Sequence, residues 1–206
     1  MFIVIEGIDG AGHTTQCELL KQFFKNSGID FVFFKTPNKS LPIGQAYYAY
    51  LRRDYELNTE AVFLLCASDV IMNKEKIAEG IKEGKVILFE RYITSTLAYQ
   101  TANGFDFKKG VKIIKLLGFP KADLIVYLDI PVDVSLERKL KEKAFLDRHE
   151  SDKSFLERVK NVYEMEMAMN FLGKWVKVDA TKDIETVHSE ILRIIKNKLK
   201  TKNFLP

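Results

Sequence analysis

The sequence predicts an α/β fold, in which helices cover both faces of a parallel sheet of about five strands. Short apolar runs, typical of strands buried on both faces, alternate with longer segments of helical periodicity. A glycine-rich segment joins the first apolar run to the first helical segment. The expected strands cover residues 2–5, 31–34, 86–89, 124–128 and 175–178.

Segments of helical periodicity alternate with the expected strands. The segment after the glycines places Leu19, Leu20, Phe23 and Phe24 on one side and polar residues on the other, as in an amphipathic helix. Further helices are expected at residues 43–53, 59–83, from 131 onward and at 184–198. Strands separated by such segments favour parallel pairing, because parallel neighbours need a crossover connection.

Length and composition agree with one domain that spans residues 1–206. A chain of 206 residues with 47% hydrophobic content can bury one sizeable core and a short lid without a second domain. The net charge is +4, from 32 basic and 28 acidic residues, so no nucleic-acid partner is required. The basic groups are therefore expected to serve small anionic ligands.

Cysteine usage and hydropathy point to the cytoplasm. Cys17 and Cys66 have no metal-ligand spacing and form no disulfide framework, which suits a reducing compartment. The apolar run at the start is four residues long and ends at Glu6, too short for a signal peptide. No stretch approaches the roughly 20 apolar residues of a membrane span. We therefore expect no membrane association.

The most informative segment is the decapeptide at residues 6–15, with the sequence Glu-Gly-Ile-Asp-Gly-Ala-Gly-His-Thr-Thr. It matches the phosphate-binding pattern Gly-x-x-x-x-Gly-Lys-[Ser/Thr], except that His13 replaces the lysine. Glycine-rich backbone before a helix N-terminus forms an anion-binding nest, and the Thr14 hydroxyl is placed to ligate Mg²⁺. The residues expected to bind the phosphates of ATP are Gly7, Ile8, Asp9, Gly10, Ala11, Gly12, His13, Thr14 and Thr15.

A glycine-rich turn can also be a tight connection without a ligand. The order strand, loop and helix favours the nucleotide interpretation, because all parts of a phosphate site are then in place. Polar residues also follow other strands, at Glu90-Arg91 and at Asp129. In open parallel sheets, ligands bind beyond the carboxyl ends of the strands.

Four segments together resemble one known family. They are the loop at 6–16, Glu90-Arg91-Tyr92 with Ala98-Tyr99-Gln100, the segment 128–138, and Asp147-Arg148-His149-Glu150 with Phe155, Arg158 and Tyr163. Their order and spacing over residues 2 to about 165 resemble the thymidylate kinase family. The resemblance implies the three-layer sandwich of P-loop NTPases and a nucleoside-monophosphate kinase that transfers the γ-phosphate of ATP to dTMP, giving dTDP.

The resemblance also implies roles for particular residues. Glu90 stands where the family has an aspartate that organises Mg²⁺, so Thr14 and Glu90 are the expected metal ligands. A mobile lid is expected at about 137–150, with Arg138 and Arg148 supplying charge in the transition state. The implied catalytic residues are Asp9, His13, Arg91, Arg138 and Arg148. The implied acceptor-binding residues are Asp9, Lys39, Cys66, Val70, Arg91, Tyr99 and Gln100.

His13 is the first departure from the family pattern. Imidazole is shorter than a lysine side chain and, with an ordinary pKa of about 6.5, is only partly charged near neutrality. Loss of one preorganised donor typically costs ~10²–10³ in rate. The sequence therefore predicts slow turnover that improves in mild acid.

Cys66 and Val70 are the second and third departures. They stand where the family has a phenylalanine that stacks on thymine and an arginine that bonds to it. Their i, i+4 spacing would place both on one helix face. Asp69 lies beside them and is a further candidate contact. The acceptor is therefore open between dTMP and another pyrimidine monophosphate.

Each candidate also has a purely structural interpretation. The lid cations could form a solvated helix face, Glu90-Arg91 could be an ion pair, and Asp129 could cap the next helix. His149 and His188 are expected at the surface.

Two functions stay open: an active kinase, and a catalytically impaired nucleotide-binding protein with a regulatory role. A homodimer is expected through helices around 59–83 and 92–100.

Overall fold

The computed structural model describes residues 1–142, 148, 149, 152–202 and 204. A single parallel sheet of five strands forms its centre, with the strands in the order β2-β3-β1-β4-β5. This confirms the predicted α/β fold. The strands are β1 (Phe2–Gly7), β2 (Phe31–Lys35), β3 (Val86–Glu90), β4 (Ala122–Asp129) and β5 (Gly173–Asp179).

Helices connect the strands and cover the sheet. α1 packs beside α9, and α5 packs between α3 and α8. The helices are α1 (His13–Asn26), α2 (Pro42–Leu51), α3 (Thr59–Ile71), α4 (Lys74–Lys82), α5 (Ile93–Ala102), α6 (Phe107–Leu117), α7 (Val132–Glu142), α8 (Lys153–Ala168) and α9 (Ile184–Thr201).

The core is built on the three central strands. Every residue of β1 and β3 is buried, whereas the edge strand β2 is only partly buried along its length. Apolar side chains on both faces of the central strands explain why the sequence shows continuous apolar runs instead of alternation. Each fully buried aliphatic or aromatic side chain contributes about 1.5–3 kcal/mol relative to an exposed one.

The prediction of a single long helix at 59–83 is wrong, because the chain forms two helices there. α3 ends at Ile71 and α4 begins at Lys74. Between them, the Asn73 amide group donates a hydrogen bond to the Asp69 carbonyl at 3.0 Å. Asparagine competes in this way with the regular helical hydrogen bonds, and the chain turns at this point.

α5 lies inside the molecule. Its residues from Ile93 to Gln100 are all buried, because α3, α6 and α8 pack around it. The apolar surplus of segment 92–100, which predicted a subunit interface, is therefore used within the chain. In the part of the chain that the structure describes, no helix combines the length and hydropathy needed to cross a membrane.

Candidate active site

The glycine-rich loop connects β1 to α1 with backbone conformations that require glycine. Gly7 has φ 154° and Gly10 has φ 74°. A Cβ atom on Gly7 would lie 2.7 Å from the Leu128 carbonyl oxygen, and one on Gly10 would lie 2.8 Å from the Ser135 carbonyl oxygen. The loop therefore fits closely between β4 and α7 and ends at the N-terminus of α1, where backbone N–H groups bind anions.

His13 is the first residue of α1 and points back into the loop. Its Nε2 atom lies 3.0 Å from the Gly7 carbonyl oxygen, and the side chain is buried. Burial, with the nearby Arg91 guanidinium, lowers the pKa of His13 to about 3. The imidazole is therefore neutral at physiological pH and donates its Nε2–H to Gly7. This corrects the expectation of a partly charged side chain.

Thr14 and Glu90 bring two hard oxygen atoms together. The Thr14 hydroxyl donates to Glu90 Oε1 at 2.6 Å. Mg²⁺ in nucleotide sites is held by one or two such groups together with phosphate oxygens, so this pair fits the ion. Lys35, which the sequence reasoning missed, joins the pair: its Nζ lies 2.7 Å from Glu90 Oε1 and 3.0 Å from Thr14 Oγ1.

Asp9, Arg91 and Tyr99 form a second cluster beside the loop. Arg91 Nη2 donates to Asp9 Oδ1 at 2.6 Å, and the Tyr99 hydroxyl donates to Asp9 Oδ2 at 2.8 Å. Burial raises the pKa of Asp9, but the Arg91 charge and the Tyr99 hydrogen bond outweigh it and leave this pKa lowered. Arg91 Nη1 also reaches the Gly7 carbonyl oxygen at 3.2 Å. The cluster keeps Asp9 ionised and Arg91 aimed at the loop.

Glu6 positions the helix that carries Tyr99. Its fully buried carboxylate accepts hydrogen bonds from the Tyr92 N–H at 2.9 Å and from the Thr94 hydroxyl at 2.5 Å. The Ser95 and Tyr163 hydroxyls bond to its other oxygen. Glu6 is therefore a structural residue that fixes the N-terminus of α5, although it follows the pattern of polar residues near strand ends.

A cavity of about 280 Å³ opens beside this cluster. Of the predicted residues, it brings together Asp9, Gly10, His13, Thr14, Lys39, Cys66, Glu90, Arg91, Tyr99 and Gln100. It is also lined by Asp69, the further candidate contact, and by residues that had not been assigned to the site, including Lys35, Tyr47, Tyr48, Lys139 and His149.

The buried side chains of Gln100 and Asp69 bring polar atoms to this cavity. Both amide atoms of Gln100 and the Oδ1 atom of Asp69 make no hydrogen bond to any part of the chain that the structure describes. The other oxygen, Asp69 Oδ2, accepts from the Asn38 backbone N–H at 2.8 Å. Burial of an unpaired amide is costly, so the Gln100 amide is suited to a polar ligand.

Cys66 and Val70 do not act as the expected pair. Cys66 lines the cavity, and burial raises its thiol pKa well above the ordinary value, so the side chain is an inert wall. Val70 is 1% exposed, packs in the hydrophobic core and is absent from the cavity lining. The i, i+4 spacing was correct for a helix, but the helix turns only the first position toward the cavity.

Lys39 reaches the cavity because its loop packs tightly on α2. A Cβ atom on Gly44 would lie 2.0 Å from the Asn38 carbonyl oxygen, so only glycine permits this approach. The Lys39 ammonium lies 4.5 Å from the centre of the Tyr48 ring. A cation over an aromatic face at this distance is attracted to it, which orients the lysine in the cavity.

The two arginines of the predicted lid lie in different places. Arg138 donates to the Gly10 carbonyl oxygen at 3.2 Å and to the Ala180 carbonyl oxygen at 3.0 Å, so it contacts the loop. Arg148 makes a two-pronged ion pair with Glu56, at 2.8 and 2.7 Å, and is outside the cavity lining. Of the predicted lid, 143–147 and 150 lie outside the described residues.

His149 is buried, not at the surface as the sequence suggested. Its ring stacks on Phe155 with centroids 4.6 Å apart and meets the Tyr99 ring edge-on at 5.8 Å. His188 lies against α1, with Nδ1 3.0 Å from Gln16 Oε1. Lone histidines give no signal in sequence for such packing, because their neighbours are distant along the chain.

Asp129 is an ion-pair residue and not a helix cap. Lys160 and Lys177 lie 2.8 and 3.0 Å from its two oxygens. Burial raises the pKa of Asp129, but the hydrogen bonds from the two lysines outweigh this and leave it lowered. The residue ties β4 to α8 and β5 and is outside both cavities described here.

A second cavity of about 390 Å³ lies on the other side of the loop. Arg138, Lys141 and Lys182 give it a basic lining, and Gly12 and Thr15 belong to the loop and the start of α1. Gly10 lines both cavities. A phosphate bound on the loop would therefore lie between two ligand sites.

The sheet order, the glycine loop at a helix N-terminus and the hydroxyl–carboxylate pair define a P-loop phosphotransferase with two ligand cavities. Comparisons with known proteins identify the family. The thymidylate kinase family model matches residues 5–191. The chain belongs to the thymidylate kinase family.

Individual relatives are similar over nearly the whole chain. A probable thymidylate kinase of Thermococcus kodakarensis is 34% identical, with 97% of this chain and 98% of that protein covered. One of Pyrococcus horikoshii is 33% identical, with coverages of 96% and 97%. The solved thymidylate kinase of Candida albicans, described as having broad substrate specificity, has a TM-score of 0.78 at 25% identity; 99% of this chain and 93% of that chain are covered.

Proposed function

We propose that this protein transfers the γ-phosphate of ATP to dTMP and so produces dTDP. The observation that carries the proposal is that two cavities meet at Gly10, on the phosphate-binding loop. The cavity with the basic lining and Gly12 would take ATP, and the cavity with Asp9, Arg91 and Gln100 would take dTMP. Donor and acceptor phosphates would then meet above the N-terminus of α1.

The reaction requires positioning and positive charge more than covalent chemistry from the protein. The acceptor oxygen is already ionised, so no general base is needed. Arg91 and Lys39 would hold the acceptor phosphate, and Asp9 would orient Arg91 and accept a hydrogen bond from the sugar hydroxyl. Tyr99 would fix Asp9, to which it already donates at 2.8 Å.

Thr14 and Glu90 would hold Mg²⁺, which when bound neutralises phosphate charge and aligns the transferring group. Arg138 already contacts the loop and would add charge as the lid closes over the phosphates, excluding water. Arg148 would have to leave Glu56 to take part. It would also have to leave the Tyr50 carbonyl oxygen, to which its Nε donates at 3.2 Å, and the Tyr50 ring, whose centre lies 4.3 Å from its guanidinium carbon.

The acceptor base would be read by Gln100. The Gln100 amide makes no hydrogen bond to any described residue. It can therefore present either its NH₂ donor or its oxygen acceptor to the edge of a pyrimidine. Val70 is buried away from the cavity and would not contact the base. Acceptance of a second pyrimidine monophosphate beside dTMP is therefore part of the proposal.

The test is an ADP-release assay with ATP and Mg²⁺ across dTMP, dUMP, dCMP, UMP and dGMP. We expect turnover with dTMP and lower or absent turnover with the purine. Turnover with dGMP alone would contradict the assignment of the acceptor cavity. The regulatory alternative gains no support from the comparisons; it would return only if ATP bound and no acceptor were phosphorylated.

We also propose a homodimer formed through α3 and α4. Leu64 on α3 is 53% exposed, Ile81 on α4 is 41% exposed, and Met72, between the two helices, is 51% exposed. Exposed apolar side chains on neighbouring helices suit a subunit interface. Light scattering during size-exclusion chromatography should give twice the chain mass, and a monomer mass for wild-type protein would contradict the proposal.

A further inference from the structure

Lys35 forms a compact three-residue cluster with the proposed metal ligands. Its Nζ atom lies 2.7 Å from Glu90 Oε1 and 3.0 Å from Thr14 Oγ1, and these two oxygens are themselves 2.6 Å apart. The cluster follows from the sheet register, because Lys35 and Glu90 are direct partners on the parallel strands β2 and β3. The ammonium therefore lies against the same two oxygens that would bind a metal ion.

The two partners differ in their freedom to move. The Glu90 side chain is 3% exposed, whereas that of Lys35 is 39% exposed and borders the acceptor cavity. A lysine carries its charge on a flexible four-carbon stem and can change partners without movement of the backbone. Glu90 is therefore the fixed element of the cluster and Lys35 the exchangeable one.

The position that usually carries the loop's cation does not supply one here. His13 Nε2 bonds to the Gly7 carbonyl oxygen inside the loop. Lys35 lies at the edge of the same loop, one hydrogen bond from Thr14, the residue next to His13. Its ammonium therefore lies beside the N-terminus of α1, where the proposed function places the phosphates.

We propose that Lys35 is an exchangeable counter-ion of this site: it holds Thr14 and Glu90 in the nucleotide-free protein, releases them to the metal ion when nucleotide binds, and then contacts the phosphates. The proposal rests on the function proposed above, through the metal ligands Thr14 and Glu90. It adds a phosphate-binding role for a residue of β2.

The first test measures metal binding without nucleotide. Free and bound Mn²⁺ are separated by electron paramagnetic resonance for the wild type, Lys35→Gln and Lys39→Gln. Glutamine at 35 keeps a donor for Glu90 but removes the charge that competes with the metal. Lys39→Gln removes the same charge from the same cavity without touching the cluster. We expect Lys35→Gln to tighten Mn²⁺ binding about fivefold and Lys39→Gln to have a smaller effect.

The second test measures ATP binding in the presence of Mg²⁺ by calorimetry. Loss of one charge-assisted hydrogen bond to phosphate should weaken ATP binding by Lys35→Gln about tenfold. Circular dichroism establishes that the variants are folded, and Lys35→Met provides a second neutral side chain if the glutamine variant is unstable.

Three results would overturn the proposal: unchanged or weaker Mn²⁺ binding by Lys35→Gln, equal effects of Lys35→Gln and Lys39→Gln, or unchanged ATP affinity. Glu90→Gln separates the causes. If it loses Mn²⁺ while Lys35→Gln behaves as wild type, only the role of Lys35 is wrong. If Glu90→Gln binds Mn²⁺ as wild type does, the proposed metal site itself is wrong and the Lys35 role falls with it.

Discussion

At the scale of single residues, His13 shows how a loop can keep its shape while its chemistry changes. The imidazole fills the loop and bonds to Gly7 instead of projecting a cation toward phosphate. Sequence alone identified the substitution, because the glycine spacing is local. It could not show the side chain's direction, which depends on the burial of the loop against β4 and α7.

The neutral state of His13 is directly measurable. Its folded pKa of about 3 lies below the ordinary value, so the neutral form is favoured and protonation opposes folding as the pH falls below about 6.5. Nitrogen-detected NMR of the nucleotide-free protein should show a neutral Nε2–H imidazole from pH 8 to pH 5. Assignment uses the loss of the signal in His13→Gln, and a midpoint near pH 6.5 would contradict the geometry described here.

At the scale of elements, strand ends distribute polar residues among different tasks. Glu90, the last residue of β3, and Arg91, directly after it, enter the site, whereas Glu6 fixes α5 and Asp129 ties β4 to its neighbours. The sequence predicted all of them at the carboxyl ends of the strands, and the structure confirms this. It could not separate the tasks, because Glu6 meets Tyr163 and Asp129 meets Lys160 only in the folded chain.

Asp129→Asn should lower the free energy of unfolding by about 1–2 kcal/mol at pH 7, since it removes an ion pair to two lysines in a partly buried setting. The folded pKa of Asp129 is lowered, so its contribution is present above the unfolded pKa of about 3.9 and disappears as the pH falls through the folded value. Urea unfolding of wild type and variant at several pH values measures the difference.

The matched control is Asp133→Asn, because Asp133 pairs with Lys153 while 74% exposed. It should change stability by less than Asp129→Asn at pH 7. The assigned role of the Asp129 ion pairs would be contradicted if both variants lost the same free energy of unfolding. It would also be contradicted if the loss for Asp129→Asn were unchanged at the lowest pH of the series.

At the scale of the whole molecule, the fold could be predicted from the sequence because its hydrophobic patterns are periodic and repeated. Five apolar runs and the intervening helical segments predict the sheet, and the glycine-rich loop indicates at which end of the strands the ligands bind. Contacts between residues that are distant along the chain could not be predicted in this way. Lys35 joins Glu90 through strand register, and His149 packs between aromatic rings of α5 and α8, contacts that no local pattern encodes.

The family and the two cavities on one loop point to phosphate transfer between two nucleotides. Its most direct test is phosphorus NMR of ATP, dTMP and Mg²⁺ with the wild type and with His13→Lys. We expect dTDP from both, with turnover by His13→Lys faster by up to ~10² because the lysine restores a preorganised cation. Absence of dTDP from both proteins, with ATP still bound, would contradict the assigned reaction.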